Sequence, residues 1–141
     1  MISYFGSVKP DQTDIMGHFS AQHYAEAFDQ ATWCFMSALG YRASDIKDHG
    51  EGWADVRHLT TFHKELLAGD SFHIDTRIIK VGQSSINLFH ELRNQSGEVA
   101  AAMDITSVYF DVRNRRSVAI PEPIKLAALL REQAEAGHDP V

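Results

Sequence analysis

Residues 20–40 read Ser-Ala-Gln-His-Tyr-Ala-Glu-Ala-Phe-Asp-Gln-Ala-Thr-Trp-Cys-Phe-Met-Ser-Ala-Leu-Gly. Tyr24, Ala25, Phe28, Ala31, Thr32, Phe35, Met36 and Leu39 recur at three- and four-residue spacings. That period draws one broad apolar stripe along a helix of about five turns. Ser20 supplies an N-cap hydroxyl and Gly40 a C-terminal stop, so both ends carry boundary signals. A lone helix with so wide a stripe needs a sheet face to cover it.

The rest of the chain supplies that sheet. Residues 2–9 predict a short strand, and residues 10–20 are rich in turn formers with no helical period. Past a polar connection, Asp45-Ile46-Lys47-Asp48-His49-Gly50, the period becomes two. Residues 53–67 alternate loosely up to the turn Ala68-Gly69-Asp70. Residues 71–81 put Phe72, Ile74, Thr76 and Ile78 on one face, and residues 85–93 put Ile86, Leu88, His90 and Leu92 on one face. Residues 98–112 do the same with Val99, Ala101, Met103, Ile105 and Tyr109. Short turns at 82–84 and 94–97 predict an antiparallel meander of four long strands. A last short strand ending at Pro121, a helix over 122–136 and a frayed tail from Gly137 complete the reading. The expected class is α+β: one domain over 1–141, with the long helix in the curve of a single sheet.

Composition narrows the function. The chain has 141 residues, 44% apolar and 23% charged, which is ordinary for a folded globular protein. Its 13 Lys and Arg against 19 Asp and Glu give a net charge of −6, which disfavours a nucleic-acid partner. Cys34 is the single cysteine, grouped at helical spacing with Ala27, Ala31 and Ala38 as a small packing residue. No run of about 18 apolar residues is present to span a membrane. The first residues do not read as a signal peptide, so the expected location is cytoplasmic.

The loop ahead of the helix holds the candidate chemistry. Asp11 and Asp14 precede Gly17 and His18, and the helix opens immediately after. A helix N-terminus offers unpaired N–H groups and a positive dipole end, which suits a developing oxyanion. Asp14 either activates water there, attacks an electrophile directly, or merely closes an Asx turn. Glu26 and Asp29 on the helix are rival carboxylates. No His-Glu-x-x-His pair is present, and His58 and His63 fall on opposite strand faces, so no metal site and no cofactor are expected. No Gly-x-Ser-x-Gly elbow occurs either.

The stretch from Asp11 to Tyr24, Asp-Gln-Thr-Asp-Ile-Met-Gly-His-Phe-Ser-Ala-Gln-His-Tyr, resembles the signature of hotdog-fold acyl-CoA thioesterases of the 4-hydroxybenzoyl-CoA thioesterase type. Asp14, Gly17, His18 and Tyr24 match its positions, while Ser20 and Ala21 stand where many members carry asparagine. Ala68-Gly69-Asp70, Val81-Gly82-Gln83-Ser84-Ser85-Ile86, Gly97 and Ile120-Pro121 extend the likeness over roughly residues 5–123. The resemblance implies a hotdog fold, an acyl-CoA substrate, and a homodimer or homotetramer with its site at a subunit interface. It implies Asp14 against the thioester carbon, with Gly17 and His18 beside it and helix-start amides on the carbonyl oxygen. Phe19, Tyr24, His58 and Thr60 are the expected substrate-binding residues, and Arg113, Arg115 and Arg116 are candidates for the coenzyme A phosphates. A non-catalytic acyl-thioester binder or a dehydratase-like hotdog protein is the alternative, the latter using His18 or His23 beside Asp14.

Overall fold

The apolar stripe becomes α1 (Ala21–Ala38), in a computed structural model that describes residues 1–136. Ser20 caps it: the carbonyl accepts the N–H groups of His23 and Tyr24 at 3.0 Å, and Oγ bonds His23 Nδ1 at 2.6 Å. Gly40 ends it at φ 109°, a left-handed value glycine takes without strain. Tyr24, Phe28, Ala31, Thr32, Phe35 and Met36 are buried, as the stripe predicts. Ala25 instead faces out while Ala27 is buried, and Cys34, expected to pack, is exposed. An alanine at the edge of a stripe carries too little apolar area to decide its own side.

Six strands form the sheet: β1 (Ile2–Ser7), β2 (Glu51–Phe62), β3 (Ser71–Val81), β4 (Ser85–Asn94), β5 (Val99–Asp111) and β6 (Arg116–Ser117). Their order is β1-β3-β4-β5-β2, with β6 on β5. The fold is α+β of the hotdog class, as expected. The meander, however, covers only β3 to β5. β2 does not turn onto β3; it lies beside β5, with the His63 N–H on the Ala100 carbonyl and the Val112 N–H on the Gly50 carbonyl, each at 2.8 Å. The connection explains the error. Residues between β2 and β3 make no hairpin because their backbone bonds elsewhere: Leu66 O accepts the Phe19 N–H, and Val8 exchanges bonds with Gly69 and Asp70, all at 2.8 Å. Alternation reports a strand's faces, not its neighbour.

Two further expectations change. Residues 45–50 are not a plain connection: α2 (Ala43–His49) forms, with Asp45 Oδ2 accepting the Arg42 N–H at 2.9 Å and Gly50 closing it at φ 68°. Its one large apolar residue, Ile46, leaves no period to detect. The last strand is only β6, which ends at Ser117 and not at Pro121; α3 (Glu122–Ala136) starts directly after Pro121. The tail expected to fray from Gly137 lies outside the described residues. No described helix is long and apolar enough to cross a membrane.

By contacts the chain divides into two compact units. The first holds Met1–Phe35, Leu59–Thr76 and His90–Met103. In it Phe28, Phe35, Ile74, Leu92 and Ala101 are buried, together with an unbroken polar chain. Thr32 Oγ1 donates to the Phe28 carbonyl at 3.0 Å and lies 2.8 Å from His90 Nε2. A hydroxyl has one proton, so Nε2 carries the imidazole hydrogen and donates to Thr32. Thr76 Oγ1 then donates to Nδ1 across 2.7 Å, and Ser3 Oγ follows at 2.6 Å from Thr76. Each buried polar atom in the chain is satisfied, which is what makes its burial tolerable.

The second unit holds Met36–His58, Arg77–Phe89 and the residues from Asp104 onward. Met36, Leu39, Ile78, Leu88 and Ile105 are buried there, and Trp53 meets Tyr109 edge to face at 5.1 Å. Burial pushes the Tyr41 and Tyr109 phenols above their ordinary range. The β1 register on β3 ends at Asp75, and beyond it α3 takes over part of the edge. Glu135 accepts the Ile78 N–H at 2.7 Å, and Glu132 the Val81 N–H at 3.2 Å.

Candidate active site

Residues 13–19 form a tight loop closed on itself. Thr13 bridges to Phe19, the Asp14 N–H donates to the His18 carbonyl at 2.8 Å, and the Gly17 N–H returns to the Asp14 carbonyl at 2.9 Å. Gly17 makes the return at φ 79°. A second bridge, His18 to Leu67, pins the loop to the segment after β2. Loop, segment and helix start thus meet around one cleft of about 720 Å³, all within the first unit.

Asp14, His18, Phe19, Ala21, Tyr24 and the run from Phe62 to Glu65 line this cleft. The Asp14 carboxylate is half engaged. Its Oδ1 accepts the N–H groups of Met16 at 2.8 Å and His18 at 3.2 Å, while Oδ2 has no partner among the described residues. One carboxylate therefore holds the loop with one oxygen and presents the other. In the first turn of α1 the Ala21 and Gln22 N–H groups find no acceptor among the described residues, because Ser20 takes those of His23 and Tyr24 instead. An exposed anion and the first residue of the helix, Ala21, thus share one cavity.

The aromatic wall is ordered. Phe19 is buried, meets Tyr24 edge to face at 4.6 Å and lies 5.5 Å from Phe72. Tyr24 meets Phe62 edge to face at 5.2 Å, and its hydroxyl donates to the Lys64 carbonyl at 3.3 Å. Burial, helped by the negative charge of Glu65, pushes the Tyr24 phenol up to about 12. His18 Nε2 lies 3.7 Å from Glu65 Oε2, and the Lys64 ammonium is bound to Glu98 at 2.5 Å.

Of the residues singled out from sequence, Asp14, His18, Phe19 and Tyr24 come together here. Gly17 shapes the loop from just outside the lining; its chain neighbours aside, no described residue lies within 4 Å of where a Cβ would stand. His58 and Thr60 do not line the cleft; His58 Nε2 pairs with Asp55 at 2.9 Å on the exposed part of β2. His63, on the opposite strand face, does line it. The rival carboxylates Glu26 and Asp29 are exposed on α1 and outside the lining. His23 is spent on the Ser20 cap. Arg113 caps the carbonyls of Lys47 and Asp48, each at 3.4 Å, and Arg115 sits 5.4 Å over Phe110. Phe62, Lys64 and Glu65 were not legible from sequence, because long-range contacts, the His18–Leu67 bridge and the Phe19 N–H on the Leu66 carbonyl among them, bring their segment to the loop.

The chain belongs to the thioesterase-like superfamily, whose family model matches residues 8–128. A curated relative from Ruegeria pomeroyi, L-carnitine dehydrogenase/betainyl-CoA thioesterase, is 28% identical over 135 residues, 93% of this chain but 26% of its own. The chain thus spans about a quarter of the length of the curated relatives it matches. A solved gentisyl-coenzyme A thioesterase is 27% identical, with a TM-score of 0.79 over 89% of this chain and 98% of its own. A Staphylococcus aureus protein solved in complex with CoA shares the fold at a TM-score of 0.88 and 20% identity, over 94% and 87% of the two chains.

Proposed function

We propose that this chain, as one thioesterase-like domain, hydrolyses an acyl-CoA thioester to a free carboxylic acid and coenzyme A, with Asp14 as the reacting carboxylate. The observation that carries the reading is that Asp14, with an Oδ2 uncommitted among the described residues, shares one cleft with Ala21, the helix-start residue whose amide has no acceptor there. As general base, Oδ2 takes a proton from water while the oxygen bonds to the thioester carbon. The carbonyl oxygen becomes an anion facing the helix-start amides; the intermediate then collapses, the C–S bond breaks, and the thiolate leaves to take up the proton. As nucleophile, Oδ2 itself bonds to the carbon and expels the thiolate, and water cleaves the resulting anhydride. A thiolate is a good leaving group, so the oxyanion site matters more than acid help. Neither route needs a cofactor or a metal. The family and the relatives' names support the reaction; betainyl and gentisyl are unlike acyl groups, so those names leave the acyl partner to be read from the cleft.

The working form is a homodimer or a pair of such dimers. β2 is an edge strand of twelve residues, with Val56, Leu59 and Phe62 all more than half exposed, and a long apolar edge of this kind is stable when another copy pairs with it. A second copy along β2 brings its own residues to the open side of the cleft, the setting in which His58 and Thr60 would meet substrate. The test is thiol release from a panel of acyl-CoA thioesters by the purified chain. Release from at least one, lost in Asp14→Asn, is the expected result; binding without release by the folded protein supports the acyl-thioester binder instead.

A further inference from the structure

We propose that Ser3, Thr76 and His90 form a reversible proton relay, through which the buried imidazole of His90 gains a proton while the fold stays closed. The relay is independent of the reaction in the cleft. With Thr32 these groups make one chain from β1 through β3 and β4 to α1, and only its ends leave any exposure: Ser3 at 8% and Thr32 at 3%, against 0% for Thr76 and His90. Hydrogen counting allows two complete arrangements. With Nδ1 bare, Thr76 donates to it across 2.7 Å and Ser3 donates to Thr76 across 2.6 Å. With Nδ1 protonated the same contacts run backwards: Nδ1–H donates to Thr76, Thr76 to Ser3, and Ser3 to the Ile74 carbonyl at 3.3 Å. The bonds from Nε2–H to Thr32 and from Thr32 to the Phe28 carbonyl are the same in both. Neither arrangement leaves a hydrogen of the chain without an acceptor. Ser3 reaches both of its acceptors because the β1 register breaks there: Ile2 pairs with Asp75 and Tyr4 with Ile74, so Ser3 is the extra residue of a bulge, buried where its neighbours are not.

Uptake from water moves three hydrogens by one step each. Thr76 passes its hydrogen to Nδ1, Ser3 passes its own to Thr76, and Ser3 keeps the one delivered by hydronium. These transfers leave each hydroxyl already pointing the way the charged arrangement requires. The charge is spread over hydroxyl and carbonyl dipoles, with the Phe28 ring stacked at 5.9 Å. The charged groups of the surrounding elements stand off. The Met1 ammonium bonds Asp75 Oδ1 and the Thr76 carbonyl, each at 3.0 Å; Asp75 and Glu91 alternate with Thr76 and His90 along β3 and β4; Asp29 is exposed on α1; and Val99 to Met103 of β5 carry no titratable group. A buried imidazole that could only stay neutral would cost stability as pH falls below about 6.5, the ordinary histidine value, because the unfolded chain binds a proton that the fold refuses. Reversal of the chain removes part of that cost.

The test follows both ring nitrogens by NMR in the full chain labelled with 15N-histidine, from pH 8 to 5, with near-UV circular dichroism reporting the fold at each pH. The expected parent gains a proton on His90 Nδ1 with its native spectrum unchanged. Ser3→Ala loses the acceptor that Thr76 needs in the charged arrangement, so its His90 binds the proton about tenfold more weakly, a midpoint lower by about one pH unit. Ser3→Thr restores the hydroxyl and the parent midpoint. Where Ser3→Ala does not fold, Ser3→Cys, whose thiol is a poor acceptor, is read instead and shifts in the same direction. Urea unfolding of the same proteins separates the relay from a merely structural hydroxyl: the loss in the variant grows as pH falls below about 6.5, whereas a structural loss is equal at every pH. Nδ1 staying bare in the parent until the fold is lost overturns the proposal, and so does a midpoint in the variant equal to that of the parent.

Discussion

Replacing Asp14 by asparagine separates two duties that one carboxylate performs. Asparagine keeps an oxygen where Oδ1 accepts the Met16 and His18 N–H groups, so the loop retains both bonds. What changes is the other atom, an acceptor with a negative charge replaced by an amide NH2. Losing a general base typically slows a reaction by about 10²–10⁴, or roughly 3–5 kcal/mol at the transition state. The cost to folding is much smaller: two exposed hydrogen bonds change from charge-assisted to neutral, about 1 kcal/mol or less together. Asp14→Ala removes the two bonds as well, and its extra loss shows in stability rather than in rate. The assay pairs thiol release under saturating acyl-CoA with urea unfolding of the same preparations. Asp14→Asn should be a folded protein with an unchanged unfolding midpoint, normal substrate binding and a rate reduced a hundredfold or more. If it stays within about threefold of the parent while Glu26→Gln is inactive, the reacting carboxylate is on the helix and the reasoning about Oδ2 fails.

Other outcomes follow from the packing. Thr32→Val, near in shape, removes the Thr32 hydroxyl from the buried His90 Nε2–H and should cost about 1–3 kcal/mol in urea unfolding; a change below about 0.5 kcal/mol would contradict the importance of that bond. Tyr24 ionises in the unfolded chain near its ordinary value of 10 but in the fold only at about 12, so stability is fully present below pH 10 and lost as pH rises through 12. Thermal midpoints measured from pH 8 to 12 should fall above 10, with the fall shallower in Tyr24→Phe; a flat profile would contradict the burial of these phenols. Sedimentation at micromolar concentration should give a dimer or larger, and Val56→Lys on the exposed edge of β2 should shift it toward monomer; a stable parent monomer would count against pairing along β2.

The long helix, the faces of β3, β4 and β5, and the last helix were all legible, because each is a strict period interrupted by turn chemistry. Phe72, Ile74, Thr76 and Ile78 alternate without exception, and every one is buried. The position of β2 was not, since its alternation is the same beside β5 as it would be beside β3. α2 was missed for want of more than one large apolar residue. At the site, Asp14, His18 and Tyr24 were accessible because they lie within eleven residues of one another on a loop that folds locally. Glu65 and Phe62 were not, because they reach the cleft through a two-residue bridge between segments some fifty positions apart. Likewise, no spacing rule tells that Asp14 gives one oxygen to its own loop and keeps the other; that is a matter of where two N–H groups point.

The glutamates of α3 give the sheet an unusual finish. Where β1 stops, Glu132 and Glu135 act as two rungs of a missing strand, answering the N–H groups of Val81 and Ile78 with carboxylate oxygens. A real strand is held by its neighbours all along its length, whereas α3 meets this edge through two side chains and buries Ile124 and Ala128, so local opening of the helix with the sheet intact would be the less costly event. The species so formed would be almost native and yet sticky, with a bare stretch of β3 able to recruit the same stretch in another molecule. Shelf life in concentrated solution would then depend on how often this helix detaches, and much less on how hard the whole protein is to melt. Strengthening α3 on its outer face, at exposed positions such as Gln133, would slow clumping without moving the global unfolding transition.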